Sequence, residues 1–139
     1  MKLNPYLNFA GNAQEALKFY KDALGGEIIM INRYRDSPMP SEEDWKNKLI
    51  HARLVFDGNL IMISDVFKGR PVSTGGGNIQ LSIEVENEEK MQAVFAKMSE
   101  EGKVTMPLTK QFWGATFGML LDKFGVNWMF NHTIENPGS

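Results

Sequence analysis

The chain has no cysteine, and only two histidines, His51 and His132, among its 139 residues. The first absence excludes disulfides, a thiolate nucleophile, cysteine-based zinc sites and iron–sulfur clusters. It fits a cytoplasmic protein, which is the expectation. The second excludes a histidine-rich metal centre, so any metal would have to lean on carboxylates. Long apolar runs are missing too. No stretch approaches the ~20 residues needed to span a membrane, and Met1-Lys2-Leu3-Asn4-Pro5 lacks the apolar core of a signal peptide. Nor is there an excess of positive charge. The 15 Lys and Arg against 17 Asp and Glu leave a net charge of −2 with no basic cluster. That argues against nucleic acid or an anionic membrane as a partner.

What is present is ordinary for a globular protein: 42% apolar and 23% charged residues. The length suits one domain, able to bury roughly 70% of its unfolded surface. The informative feature is a repeat. Residues 4–28 read as a strand, a turn at Gly11-Asn12 and a helix with the stripe Ala13, Ala16, Leu17, Tyr20, Ala23 and Leu24. Asn12 is the expected N-cap, with Glu15 three residues on, and Gly25-Gly26 is the stop. Residues 78–104 repeat this plan: a strand from Ile79 to Val85, a cap at Asn87, the stripe Met91, Val94, Phe95 and Met98, and Gly102 as terminator. An offset of 75 places Asn12 on Asn87 and Tyr20 on Phe95.

Each helix is followed by three strand-like segments. In the first half they are residues 27–35, 49–56 and 59–64, and in the second 103–110, 115–121 and 126–132. Between them, 35–48 is a polar loop or short helical turn and 67–77 is a linker. Gly75-Gly76-Gly77 precedes a strand and lacks a P-loop Lys-Ser/Thr, so it reads as flexible chain rather than a phosphate cradle. The terminal Pro137-Gly138-Ser139 is expected to fray. The pattern is β-α-β-β-β twice over, an α+β chain.

This plan, with "YLNF.GNAQEALKFY" at 6–20, "HARLVFDG" at 51–58, "LIMISD" at 60–65 and "FWG..FG...DKFGVNWMF" at 112–130, resembles the vicinal-oxygen-chelate superfamily and in particular its PhnB-like branch. That superfamily includes glyoxalase I, extradiol dioxygenases and bleomycin-resistance proteins. The resemblance implies one glyoxalase-like domain over 1–139, built from modules 1–66 and 77–134 whose curled mixed sheets surround a cleft. It also implies a homodimer, because relatives commonly complete the cleft with residues of both protomers. Some relatives carry a demethylubiquinone methyltransferase label. No strand-turn-helix unit here has the glycine fingerprint of a nucleoside cofactor.

In metal-dependent relatives each module gives two ligands, one from its first strand and one from its last. Carried over, those positions fall on Pro5, on Ser64 or Asp65, on Gln80 and on Met129. Proline has no ligating side chain and a thioether suits hard divalent cations poorly. At most one anionic ligand remains, so the metal centre is expected to be lost and no cofactor is expected.

The remaining candidates follow from strand alternation. His51 and Arg53, two apart on one strand, point the same way and could bind an anionic or oxygen-rich ligand; the alternative is a solvent-facing pair. Phe112 and Trp113 precede a glycine where a loop could cover a cavity mouth, or simply cap a rim. Trp128 is assigned to the core and His132 to the surface. Asp122 belongs to a hairpin turn, unless folding pairs it with Asp65. The candidate ligand-binding set is Phe9, Trp113 and Met129 as apolar walls, with His51, Arg53, Ser64 and Gln80 as polar contacts. The favoured function is binding of a small organic molecule. Two other functions stay open: a metal-dependent or His51-based acid–base enzyme, and a drug-sequestering protein.

Overall fold

The computed structural model describes residues 1–38, 40–74, 77–112 and 114–133. The chain divides into two units, residues 1–72 and 73–139. In the first, β1 (Tyr6–Phe9), α1 (Ala13–Leu24), β2 (Glu27–Arg33), β3 (Leu49–Phe56) and β4 (Asn59–Asp65) form one α+β module. In the second, β5 (Leu81–Glu84), α2 (Glu88–Met98), β6 (Lys103–Lys110), β7 (Ala115–Leu121) and β8 (Asn127–Thr133) repeat it. The sheet orders are β1-β4-β3-β2 and β5-β8-β7-β6. The first and last strands of each module pair in parallel, and every other neighbour is antiparallel. Two copies of one unit were expected, and two are found.

Each helix covers one face of its own sheet. The six stripe residues of α1 are all buried. They pack over Ala52, Leu54, Ile61 and Ile63, alternate positions of β3 and β4. In the second module Met91, Phe95 and Met98 of α2 are buried, as are Leu120, Trp128 and Phe130 of the sheet. Phe95 meets Phe130 edge-on at 5.4 Å between ring centres. A large side chain contributes roughly 1.5–3 kcal/mol when fully buried, against a few tenths for a helical charge pair. Packing on the sheet therefore holds these short helices, and Trp128 is a core residue as expected.

Several boundaries differ from the sequence reading. Asn12 occupies the N-cap position of α1 but its side chain makes no capping bond. The acceptor comes instead from β4: Asp65 Oδ1 takes the backbone N–H groups of Gly11 at 2.8 Å and Ala13 at 2.9 Å. Asn87 does cap α2, its Oδ1 accepting from Lys90 N at 2.7 Å. Gly25 ends α1 in the left-handed conformation at φ 71°. Helix α2, by contrast, stops at Met98, before Gly102. Gly102 is there for close approach, since a Cβ would lie 2.4 Å from the Leu121 carbonyl oxygen.

Strand β2 ends at Arg33 rather than 35, because a 3-10 turn over Tyr34–Asp36 rotates Tyr34 inward. Its hydroxyl donates to the Asp65 carbonyl at 2.7 Å. A second 3-10 turn, Glu43–Trp45, lies in the 35–48 loop. Strand β5 begins at Leu81, leaving Ile79 and Gln80 outside it, β4 extends to Asp65, and β8 runs one residue later than expected. The terminal tail and Gly75-Gly76 lie outside the described residues.

Candidate functional site

Alternation along the strands sends Asp65 and Ser64 to opposite faces of the first sheet. Asp65 faces α1, 2% exposed, and besides the two N–H groups at the helix start it accepts Leu49 N at 3.0 Å through Oδ2. Its negative charge sits where the positive end of the helix dipole is strongest. Asp65 therefore ties together β4, the start of α1 and the start of β3. Asp122 does a similar job in the second module, accepting Phe124 N, Val126 N and the Trp128 indole N–H at 2.8, 3.0 and 2.8 Å. Each carboxylate is satisfied inside its own module.

The other face of the first sheet carries Tyr6, Asn8, Met30, His51, Arg53, Met62 and Ser64. The register sets Tyr6, Met62, Arg53 and Met30 in one row across four strands. Three polar side chains join above it. Arg53 Nε donates to His51 Nε2 at 3.0 Å, and His51 Nδ1 lies 3.0 Å from the Tyr6 hydroxyl. The phenol and imidazole rings stack at a tilt, 5.6 Å between centres. The guanidinium is always protonated and can only donate. Nε2 must therefore be the bare nitrogen, and the proton of neutral His51 sits on Nδ1, directed at the Tyr6 oxygen. The Tyr6 O–H proton is left to point elsewhere. Burial pushes the His51 pKa below its ordinary 6.5, with Arg53 adding to the effect. Ser64 lies beside this group, its Oγ 3.4 Å from Asn8 Oδ1.

The corresponding row of the second sheet is Ser82, Met129, Met119 and Met106. The Gln80 amide reaches it, Nε2 to Met119 Sδ at 3.3 Å. In strand register the two modules are offset by 76 residues at the first strands, Tyr6 matching Ser82, and again at Met30 and Met106. The helices keep the offset of 75. The second module is one residue shorter between its first strand and its helix and regains that residue before β6, so counting from the caps misplaces the first strand by one. Gln80 therefore matches Asn4 rather than Pro5, and Met129 matches Met62 rather than Ser64 or Asp65.

The candidate residues thus divide. His51, Arg53 and Ser64 lie together on the open face of the first sheet. Gln80 and Met129 belong to the corresponding face of the second. Phe9 does not join them: it is 3% exposed on the α1 side, paired with Asp65. Trp113 lies outside the described residues, and its neighbour Phe112 is 97% exposed. His132 is half-buried rather than on the surface, its Nδ1 donating to the Val85 carbonyl at 2.8 Å. The sequence reading missed Tyr6, and its candidate set left out Met62. The signal was available, since Tyr6 lies next to the Pro5 position and on the face opposite Leu7.

Two α+β modules of this topology, each with a helix-free sheet face, define the glyoxalase-like class of fold. The sequence model of the Glyoxalase/Bleomycin resistance protein/Dioxygenase superfamily matches residues 2–130, and the chain belongs to that superfamily. It is 30% identical to protein YjdN of Escherichia coli, over 99% of both chains. Protein PA1353 of Pseudomonas aeruginosa has 38% identity and a TM-score of 0.86, with 97% of this chain and 99% of that one covered. The PhnB protein of Bacillus cereus follows at 31% identity and a TM-score of 0.79, over 96% and 100%. The PhnB-like affinity implied by the sequence motifs is met in the last of these.

Proposed function

We propose that the protein binds a small organic molecule against an open sheet face, without the metal centre of metal-dependent relatives. The observation that carries this is the pair of register-matched rows, Tyr6–Met62–Arg53–Met30 and Ser82–Met129–Met119–Met106. A mostly apolar surface with a few placed polar groups is the usual make-up of a small-molecule site. Methionine adapts its shape to irregular partners. On the first module's face the candidate binding residues are His51, Arg53 and Ser64; Gln80 and Met129 belong to the second module's own face. Tyr6 and Met62 join the first group.

The donor set does not suit a divalent cation. The carried-over positions Gln80 and Met129, with their register matches Asn4 and Met62, offer two amides and two thioethers and no charge. Asp65 is turned away and holds three backbone N–H groups. Among the described residues no three His, Cys, Asp or Glu side chains converge as a metal site. Acid–base catalysis by His51 is disfavoured on the same footing, because one ring nitrogen accepts from Arg53 and the other holds a proton. The protein on this reading needs no cofactor, works in the cytoplasm and assembles as a homodimer. Mass spectrometry of protein purified from cells is the test. An organic compound released on denaturation and unchanged after incubation supports a binder. Its conversion to product on the protein would make the protein an enzyme instead.

A further inference from the structure

The two open faces carry corresponding rows that differ in chemistry at two places. Arg53 of the first row stands where the second row has Met119, and Tyr6 stands where it has Ser82. A cation has been set into a position that its counterpart fills with a thioether. Among the described residues that cation has no carboxylate: its only hydrogen bond is from Nε to His51. An arginine partly withdrawn from water without an anion keeps most of its donors unanswered. The bond it does make has a directional consequence. Because Nε can only donate, His51 is fixed as the Nδ1–H tautomer, and that N–H in turn occupies the Tyr6 oxygen as acceptor. The hydroxyl proton is thereby released for a partner outside the triad. Two kinds of donor, the guanidinium Nη groups and one phenolic O–H, border the same imidazole, and none of the three side chains offers a free acceptor.

We propose that Tyr6, His51 and Arg53 form an oxyanion clamp, and that the ligand carries a carboxylate or phosphoryl group. Arg53 supplies charge and paired N–H donors, Tyr6 supplies a neutral donor to the same ligand, and His51 is a positioning residue. This rests on the small-molecule reading above and deepens it by naming the ligand's polar group. A positively charged or purely acceptor-seeking ligand is excluded, since the triad presents only donors.

The test uses the full chain, labelled with 15N, and four probes: benzoate, phenylphosphonate, benzamide and inorganic phosphate. Binding is read from the Arg53 Nε–H signal and the amides of β1, β3 and β4. The expected result is that benzoate or phenylphosphonate binds at least about ten-fold tighter than benzamide, as charge-assisted donors favour an anion. Whichever of the two binds tighter identifies a carboxylate or a phosphoryl ligand. Arg53→Gln should abolish the preference and Tyr6→Phe should reduce it. Arg53→Lys, which keeps the charge and loses the fork, should give an intermediate preference and serves if the glutamine variant fails to fold. The 15N shifts of His51 should report Nδ1–H in the free protein.

Benzamide binding as tightly as the anions would overturn the clamp and leave the small-molecule reading standing. Inorganic phosphate binding as tightly as phenylphosphonate, with benzamide inert, would support the clamp and remove the organic ligand. No shift from any probe at about 10 mM, well above the range of specific small-molecule affinities, would overturn both. An Nε2–H tautomer for His51, or a preference that survives Arg53→Gln, would overturn the clamp.

Discussion

Arg53 donates its Nε–H to Nε2 of His51 across 3.0 Å, two positions back along the same strand. The contact fixes where the histidine proton sits, and it makes protonation of that histidine costly. Titration of His51 by NMR should therefore give a pKa below 6.5, with burial as the larger cause and Arg53 as the smaller. Arg53→Gln should raise the value only part of the way. The sign for stability follows. Between the ordinary pKa and the lowered one, the unfolded chain binds the proton and the folded chain does not. Stability is thus unaffected above about pH 6.5 and is lost as the pH falls from there through the folded value. His51→Gln should flatten that part of the curve, and a His51 pKa above 6.5 would contradict the geometry.

The buried Asp65 carboxylate gives a second prediction. Asp65→Ala strands the N–H groups of Gly11, Ala13 and Leu49, and hydrogen bonds to a charged group contribute about 1.5–3 kcal/mol each. Urea denaturation should show a loss of about 3 kcal/mol or more, with Asp65→Asn losing less because one acceptor remains. A loss under about 1 kcal/mol would mean that the carboxylate does not tie these three elements together.

Gly102→Ala should destabilise the second module, although Gly102 lies on the surface. The new methyl would sit 2.4 Å from the Leu121 oxygen and 3.1 Å from Asp122 Cα, both backbone atoms that cannot swing aside. A loss of about 2 kcal/mol in denaturant is expected, in the range for strained or overpacked sites. A neutral result would show that the turn relaxes freely.

Protein purified without chelator should carry less than about 0.1 equivalent of zinc, nickel, manganese or iron by elemental analysis, because amides and thioethers replace a hydrated cation's oxygen shell poorly. About one equivalent per chain, lost on substitution of Gln80, would sink the metal-free reading.

Light scattering at micromolar concentration should give twice the chain mass of 15.7 kDa. The edge strands motivate this: β2 exposes Ile29, Met30 and Ile31 by 54%, 38% and 40%, and β6 exposes Val104 and Met106 by 42% and 37%. Apolar side chains along an unpaired edge are a liability unless something covers them. A monomer would reject the dimer.

The sequence by itself determined the repeat. Helical stripes at Ala16, Tyr20, Met91 and Phe95, and turn residues such as Asp57-Gly58, are local signals, and local periodicity survives without knowledge of partners. It also carried the chemistry that no fold can alter: proline cannot ligate at position 5, a thioether is a thioether at 129, and there is no thiol anywhere. Tertiary structure alone decided which face each strand residue occupies. A shift of one residue reverses a strand's faces; for that reason Asp65 turned out to be a helix cap and Ser64 a face residue, and the caps, offset by 75, misaligned strands offset by 76. The capping of α1 was equally unreadable, because its acceptor comes from a strand more than fifty residues away and long-range partners leave no periodic trace. Tyr6, His51 and Arg53 meet only because β4, parallel to β1 and antiparallel to β3, sets the two strands on either side of it in one register, so their joint hydrogen bonding, and with it the place of the His51 proton, belongs to the fold.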